Sequence, residues 1–172
     1  MRRLSLLVSI VVVVLTGSLL SARVIPGTAA QDATPAAQAS QQMLGLGQLT
    51  SVPGYELQLA RVTFPPGSTV PAHTHPGGAV IYVESGTLGW TVLQGETRLL
   101  RAGAVATPEA QGEVVAVDTE VLLTAGDALF LPAAHGDDVR NAGEDTLVLL
   151  VANLYPVGEP GITFMDMATP MP

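Results

Sequence analysis

The stretch Pro65-Pro66-Gly67-Ser68-Thr69-Val70-Pro71-Ala72-His73-Thr74-His75-Pro76-Gly77-Gly78 carries more structural information than any other in the chain. Glycine and proline bracket a short extended run, and residues two apart on a strand point to the same side. His73 and His75 therefore face one common space. Two neutral imidazoles at that spacing suit neighbouring ligands of a single transition metal ion. Paired histidines also occur on ordinary surfaces, so the pair alone is a weak signal. Its weight comes from scarcity, because the chain holds only three histidines in 172 residues. The third, His135, lies in a second Gly/Pro-marked segment, Gly126-Asp127-Ala128-Leu129-Phe130-Leu131-Pro132-Ala133-Ala134-His135-Gly136-Asp137-Asp138-Val139-Arg140-Asn141.

The residues around these two segments read as β-structure. Short runs rich in Val, Leu, Ile and Thr alternate with Gly and Pro at residues 56–64, 79–85, 88–93, 97–101, 119–123, 128–131 and 146–153. No window sustains a 3.6-residue apolar period between caps, so little helix is expected. Seven or more strands packed into one short domain indicate an all-β sandwich or barrel. The run 56–64 is irregular: Leu57 and Leu59 share one parity, Val62 and Phe64 the other. Either a bulge near Ala60 or two covered faces accounts for it. Residues 102–118, broken by Pro108 and Gly112, read as an insertion between two strands.

Taken together, the two Gly/Pro-marked segments resemble the paired motifs of the cupin superfamily. The first motif is a glycine, five residues, then HxH, with a glutamate four or five positions on and a later glycine. Gly67, His73, His75 and Gly86 stand in those places. The second motif is a glycine, five residues, a proline, then a glycine, a histidine and an asparagine. Gly126, Pro132 and Asn141 keep its spacing, with Ala134 where the inner glycine is usual. The resemblance covers residues 46–155 and implies a double-stranded β-helix, or jelly-roll, barrel.

Two departures bear on chemistry. The glutamate position falls on Ala79 or Val80, neither able to bind metal, and Glu84 belongs to the following turn. The histidine position of the second motif holds Asp137, with His135 two residues earlier on the same parity. Three arrangements stay open. The first is a three-histidine site of His73, His75 and His135. The second is a two-histidine, one-carboxylate face of His73, His75 and Asp137. In the third, a metal-free barrel pocket binds a small organic ligand. The metal set is thus His73, His75, His135 and Asp137, for a divalent Mn, Fe, Zn, Ni or Cu ion that ligand type alone does not distinguish. Asp137-Asp138 also fits an ordinary solvated turn, and Trp90 either fills the barrel or walls a pocket. No lysine, Ser-His-Asp set or Cys-His set is present, so catalysis is left unassigned.

The ends of the chain speak to location. Arg2 and Arg3, an uncharged apolar run at 4–20 and small residues around Ala29-Ala30 make residues 1–30 a signal peptide, or a membrane anchor if uncleaved. A secreted or extracytoplasmic protein is expected. Residues 31–45 are expected as a flexible linker, 46–157 as the barrel, and 158–172 as a C-terminal tail or strap. Without cysteine, neither disulfides nor thiolate ligands are available. Removal of residues 1–30 leaves four arginines against fifteen acidic residues, a surface that repels nucleic acid and anionic lipid. A small-molecule ligand is the expected partner, with no membrane contact beyond the signal. The resemblance also admits a homodimer paired through the outer sheets.

Overall fold

The protein is described by a computed structural model over residues 38–105, 107 and 112–166. Residues 1–30, expected as the signal peptide, and residues 106 and 108–111 of the 102–118 insertion lie outside that range. The described residues form strands without helix. They are β1 (Ser40–Gln48), β2 (Tyr55–Phe64), β3 (Thr69–Thr74), β4 (Gly78–Ser85), β5 (Thr87–Gln94), β6 (Thr97–Leu100), β7 (Glu113–Val115), β8 (Glu120–Thr124), β9 (Ala128–Leu131), β10 (Gly136–Asn141), β11 (Leu147–Pro156) and β12 (Thr163–Phe164).

The strands make two antiparallel sheets, one ordered β1-β2-β11-β4-β9-β6-β7 and the other β12-β3-β10-β5-β8. From β2 to β5 and again from β8 to β12, each successive strand crosses to the opposite sheet. The chain thus winds as a two-stranded helix, the jelly-roll arrangement expected from the motifs. β6 extends the first sheet beyond β9, and β7, which falls within the 102–118 insertion, pairs with β6 at that edge.

Alternation explains the core. On β4, Ala79, Ile81 and Val83 face inward while Val80, Tyr82 and Glu84 face out. Leu88, Trp90 and Val92 of β5, Leu123 of β8, Leu129 and Leu131 of β9, and Leu147 and Leu149 of β11 complete the packed interior. Burying each such leucine contributes about 1.5–3 kcal/mol, which makes this cluster the main source of cohesion. Gly86 and Gly126 turn the chain at positive φ (85° and 94°). A Cβ at Gly86 would lie 2.7 Å from the Leu147 Cα, so only glycine closes that corner.

The irregular run 56–64 resolves simply. β2 pairs continuously with β11, while β1 slips register between Met43 and Gly45, opposite Ala60 and Leu59. The bulge sits beside Ala60 but on the neighbouring strand. Leu57 and Leu59 therefore lie on the outer face, half exposed, and Val62 and Phe64 point in.

The linker expectation for 31–45 is corrected over its second half, where β1 starts at Ser40. Every residue of β1 is exposed, so no side-chain burial holds it. Its backbone instead satisfies the open edge of β2, an interaction to which composition is blind. At the other end, β12 pairs with β3, and Met165 N–H donates to the Ala72 carbonyl at 2.9 Å. Of the two forms left open for that segment, a strap is the one observed.

Candidate metal centre

β10 lies between β3 and β5 in the second sheet, and Asp137 stands directly opposite His73. Directly opposed residues on one sheet face have Cβ atoms about 4.5–5.5 Å apart, so the two side chains meet inside the barrel. Register shifts flank Asp137 on both sides, between Asp137 and Val139 against β3 and between Gly136 and Asp137 against β5. Such bulges re-aim a side chain locally. His75 and His135 lie just outside the strands and are tied to each other. His75 N–H donates to the His135 carbonyl, and Ala134 N–H donates back to the His75 carbonyl, each at 3.3 Å.

All four expected ligands are thereby gathered. Nε2 of His73 lies 3.2 Å from Asp137 Oδ1; Nε2 of His75 and His135 lie 3.6 and 3.3 Å from Oδ2. One atom each from His73, His75 and Asp137 falls within 4.8 Å of the others, a group able to hold a metal ion. His135 adjoins that group on the Oδ2 side, its ring stacked on His75 with centroids 4.6 Å apart. His135 and Asp137 are fully buried, so the solvated-turn reading of Asp137 does not hold.

Ring orientation follows from what each Nδ1 touches. His73 Nδ1–H donates to the Pro71 carbonyl at 2.8 Å, and His135 Nδ1–H to the Pro132 carbonyl at 2.5 Å. His75 Nδ1–H is shared between the Tyr155 hydroxyl oxygen (2.7 Å) and the Gly161 carbonyl (3.1 Å). With the protons on Nδ1, all three Nε2 lone pairs point toward one carboxylate. This is the tautomer that a metal requires, fixed by outer hydrogen bonds.

The charge states agree with neutral rings. Burial holds His73 and His135 below the usual histidine value. Burial, with the neighbouring His135 and His73, drives His75 down to about 3. Burial also pushes the Asp137 carboxyl up to about 8, aided by the charge on Asp138. The His–Asp contacts are therefore not ion pairs. His75 Nε2, His135 Nε2 and both Asp137 oxygens are buried without a hydrogen-bond partner. Each unmade bond of this kind costs about 1–3 kcal/mol, and a single carboxyl proton can satisfy only one nitrogen. A cation satisfies all of them at once.

The other motif residues serve the frame. Ala79 is buried and inward, so the place of the usual glutamate does face the interior, without a ligand. Glu84 faces out and pairs with Arg61 at 3.1 Å. Asn141 Nδ2 donates to the Phe64 and Asp145 carbonyls at 2.9 and 2.8 Å, pinning the end of β10. Tyr155, Gly161 and Phe164, whose ring meets His73 edge-on at 6.4 Å, were not singled out from sequence. Next to the histidines opens a cavity of about 550 Å³, walled by Trp90, Phe64, Ile81, Val151 and Asn153 among others. Trp90 thus both fills the barrel and walls a pocket.

The inward cluster of a jelly-roll barrel thus brings together three imidazoles and one carboxylate, of which His73, His75 and Asp137 could hold a metal ion. Residues 60–112 match the family model of the cupin domain. The matched span includes His73 and His75 and ends before His135 and Asp137. Among solved structures, a cupin superfamily protein from Desulfitobacterium hafniense is 16% identical, with a TM-score of 0.46 over 69% of this chain and 78% of that one. Oxalate decarboxylase from Lactobacillus farciminis is 20% identical, with a TM-score of 0.43 over 59% of this chain. Its Bacillus subtilis counterpart is 26% identical, with a TM-score of 0.41 over 58%. The chain spans 25% of the length of the Lactobacillus enzyme and 22% of the Bacillus enzyme. No curated protein sequence matches the chain.

Proposed function

We propose that this protein is an exported cupin that binds one divalent transition metal ion through His73, His75 and Asp137, with His135 as a fourth ligand. The observation that supports it most is the convergence of three Nε2 lone pairs on a buried carboxyl group that has at most one proton to share among them. Neutral imidazole plus carboxylate suits Mn, Fe, Ni, Cu or Zn. Once bound, such an ion supplies Lewis acidity toward a small molecule in the adjoining cavity. The Pro71, Pro132 and Gly161 carbonyls keep the rings aimed.

The test is elemental analysis of the purified protein. About one equivalent of a transition metal is expected in the wild type, and about a tenth or less in His73→Ala/His75→Ala. Wild-type protein that stays metal-free after incubation with Mn, Fe, Zn, Ni and Cu, with unchanged thermal stability, favours the second reading. In that reading the barrel binds a small ligand without metal, as the alanine at position 79 suggests. Export is part of the proposal and predicts an extracytoplasmic product beginning at Gln31, read by mass spectrometry. A second copy is the proposed protein partner. Leu59, Ala152, Val80 and Phe130 fall in register across four adjacent strands of the outer face, with Leu57 and Tyr82 alongside. Such a contiguous apolar row marks an interaction site more often than scattered residues do. Sedimentation should show a dimer that Tyr82→Glu converts to monomer.

A further inference from the structure

The cavity beside the histidines has a definite chemical character. Among the described residues, no acidic or basic side chain other than His73 and His75 lines it. Its walls are mainly Val, Leu, Ile, Phe and Trp side chains from both sheets, interrupted by Gln58, Asn153 and Tyr155, and residues 39–41 and 160–162 also line it. A carboxylate or phosphate placed there would lose its water and find no cationic side chain to replace it. An apolar body loses nothing by the same transfer and gains from the burial of its surface.

Two wall residues carry unmet hydrogen-bonding groups. The Asn153 Oδ1 acceptor and the Trp90 Nε1–H donor are both buried, and neither has a partner. Both side chains belong to the cavity lining. An amide oxygen needs a donor and an indole N–H needs an acceptor; a hydroxyl group can serve either. Asn153 is also the one inward polar side chain on β11 that makes no contact with the histidines, whereas Tyr155 is engaged by His75.

From this lining we infer that the cavity takes a neutral, largely apolar small molecule bearing a hydroxyl group, and that Asn153 reads that hydroxyl. The inference deepens the metal-centre reading and rests on it only in placing the molecule beside the ion. Asn153 here is a specificity residue, not a catalytic one.

Three probes built on one bicyclic ring system of ten carbons separate the possibilities: decahydro-2-naphthol, decalin and decahydro-2-naphthoate. None absorbs at tryptophan wavelengths, and Trp90 is the only tryptophan in the chain, so its emission reports binding directly. The measurement is made on metal-loaded and on chelator-treated protein. In chelator-treated protein the alcohol should bind about fivefold or more tightly than decalin, the worth of one hydrogen bond of about 1 kcal/mol. The carboxylate should bind at least tenfold more weakly than the alcohol. Asn153→Leu should erase the alcohol's advantage over decalin, and Val151→Phe, which fills the cavity, should weaken both neutral probes at least tenfold. Equal binding of alcohol and decalin, equal binding of alcohol and carboxylate to chelator-treated protein, or indifference to Val151→Phe would each overturn the inference. Metal content measured on the same samples separates the two readings. Metal-free protein that prefers the alcohol sinks the ion and keeps the cavity assignment, and metal-loaded protein without that preference does the reverse.

Discussion

The two strands that build the centre, β3 and β10, depart from the cupin motifs they resemble in opposite ways. The β3 segment keeps its HxH in place, yet the carboxylate that should follow on β4 is replaced by Ala79. The β10 segment loses its histidine position to Asp137 and gains His135 in the turn before it. Counted over both, the interior still holds three imidazoles and one carboxylate. What the difference teaches is that a ligand set belongs to a volume rather than to a sequence position. Because β10 lies beside β3, a carboxylate opposite His73 enters the same space that one from β4 would reach across the barrel.

The sharpest way to break that comparison is to remove the relocated carboxylate. Asp137→Asn keeps the shape and deletes the charge, so metal affinity should fall at least about 100-fold, since a lost ligand exceeds the 10–100-fold typical of an outer-shell partner. Competition against a chelator of known strength reads this directly. Adding Ala79→Glu to Asp137→Asn should recover at least about tenfold of the loss. The added bulk costs about 1–3 kcal/mol of stability, which a melting curve reports separately. Full affinity in Asp137→Asn alone would show that the carboxylate never held the ion.

A pH experiment probes the same group without metal. The folded Asp137 carboxyl titrates near 8, against an ordinary 3.8. Between those values the folded state keeps a proton that the unfolded chain has released, so stability falls as pH rises. The buried histidines act in the opposite sense, because their folded values lie below the ordinary 6.5. Their contribution rises with pH until about a unit above 6.5 and so partly offsets the carboxyl slope, which the difference between wild type and Asp137→Asn isolates. Chelator-treated wild type should therefore lose up to about 2 kcal/mol of stability relative to Asp137→Asn between pH 6.5 and 8, at about 1.36 kcal/mol per unit. Urea midpoints of the two proteins measure it.

Much of this was legible before any coordinates, and the exceptions have physical causes. The strands near residues 79–85, 88–93 and 128–131 announce themselves because their inward residues are apolar. β10 does not, since its inward Asp137 is polar and the surrounding Gly136-Asp137-Asp138-Val139-Arg140-Asn141 shows no apolar period. β11 is legible as a strand at 146–153, but its facing is not. Its Leu147–Asn153 run is apolar on both parities, so nothing marks Asn153 and Tyr155 as facing inward. The carbonyls of Pro71, Pro132 and Gly161 leave no trace in residue type, because any residue could supply them.

His135 tests whether the two segments contribute equally. It lies outside the mutually close group of His73, His75 and Asp137, though 3.3 Å from Asp137 Oδ2. His135→Ala should accordingly weaken metal binding by about tenfold, less than loss of Asp137 by about another factor of ten, in the same chelator competition that measures an outer-shell-sized effect. An effect equal to that of Asp137→Asn would make the four ligands equivalent and erase the asymmetry between the strands.

The smallest effect concerns the backbone that delivers His135. Ala134 has φ of 59°, a left-handed conformation in which an alanine Cβ is crowded by the neighbouring carbonyl. This is the position where the second cupin motif usually has glycine, and the geometry supplies the reason. The Ala134 side chain is exposed and contributes little packing, while its N–H is committed to the His75 carbonyl. Ala134→Gly relieves the crowding but gives the unfolded chain more freedom, so the two terms partly cancel. A net gain of about 0.5–1 kcal/mol is expected, a shift of a few degrees in Tm, with metal affinity within about twofold of the wild type. A glycine variant that melts lower would mean that the left-handed turn is held by contacts of the alanine methyl group, and that the strand bearing Asp137 tolerates the departure for reasons of packing rather than strain.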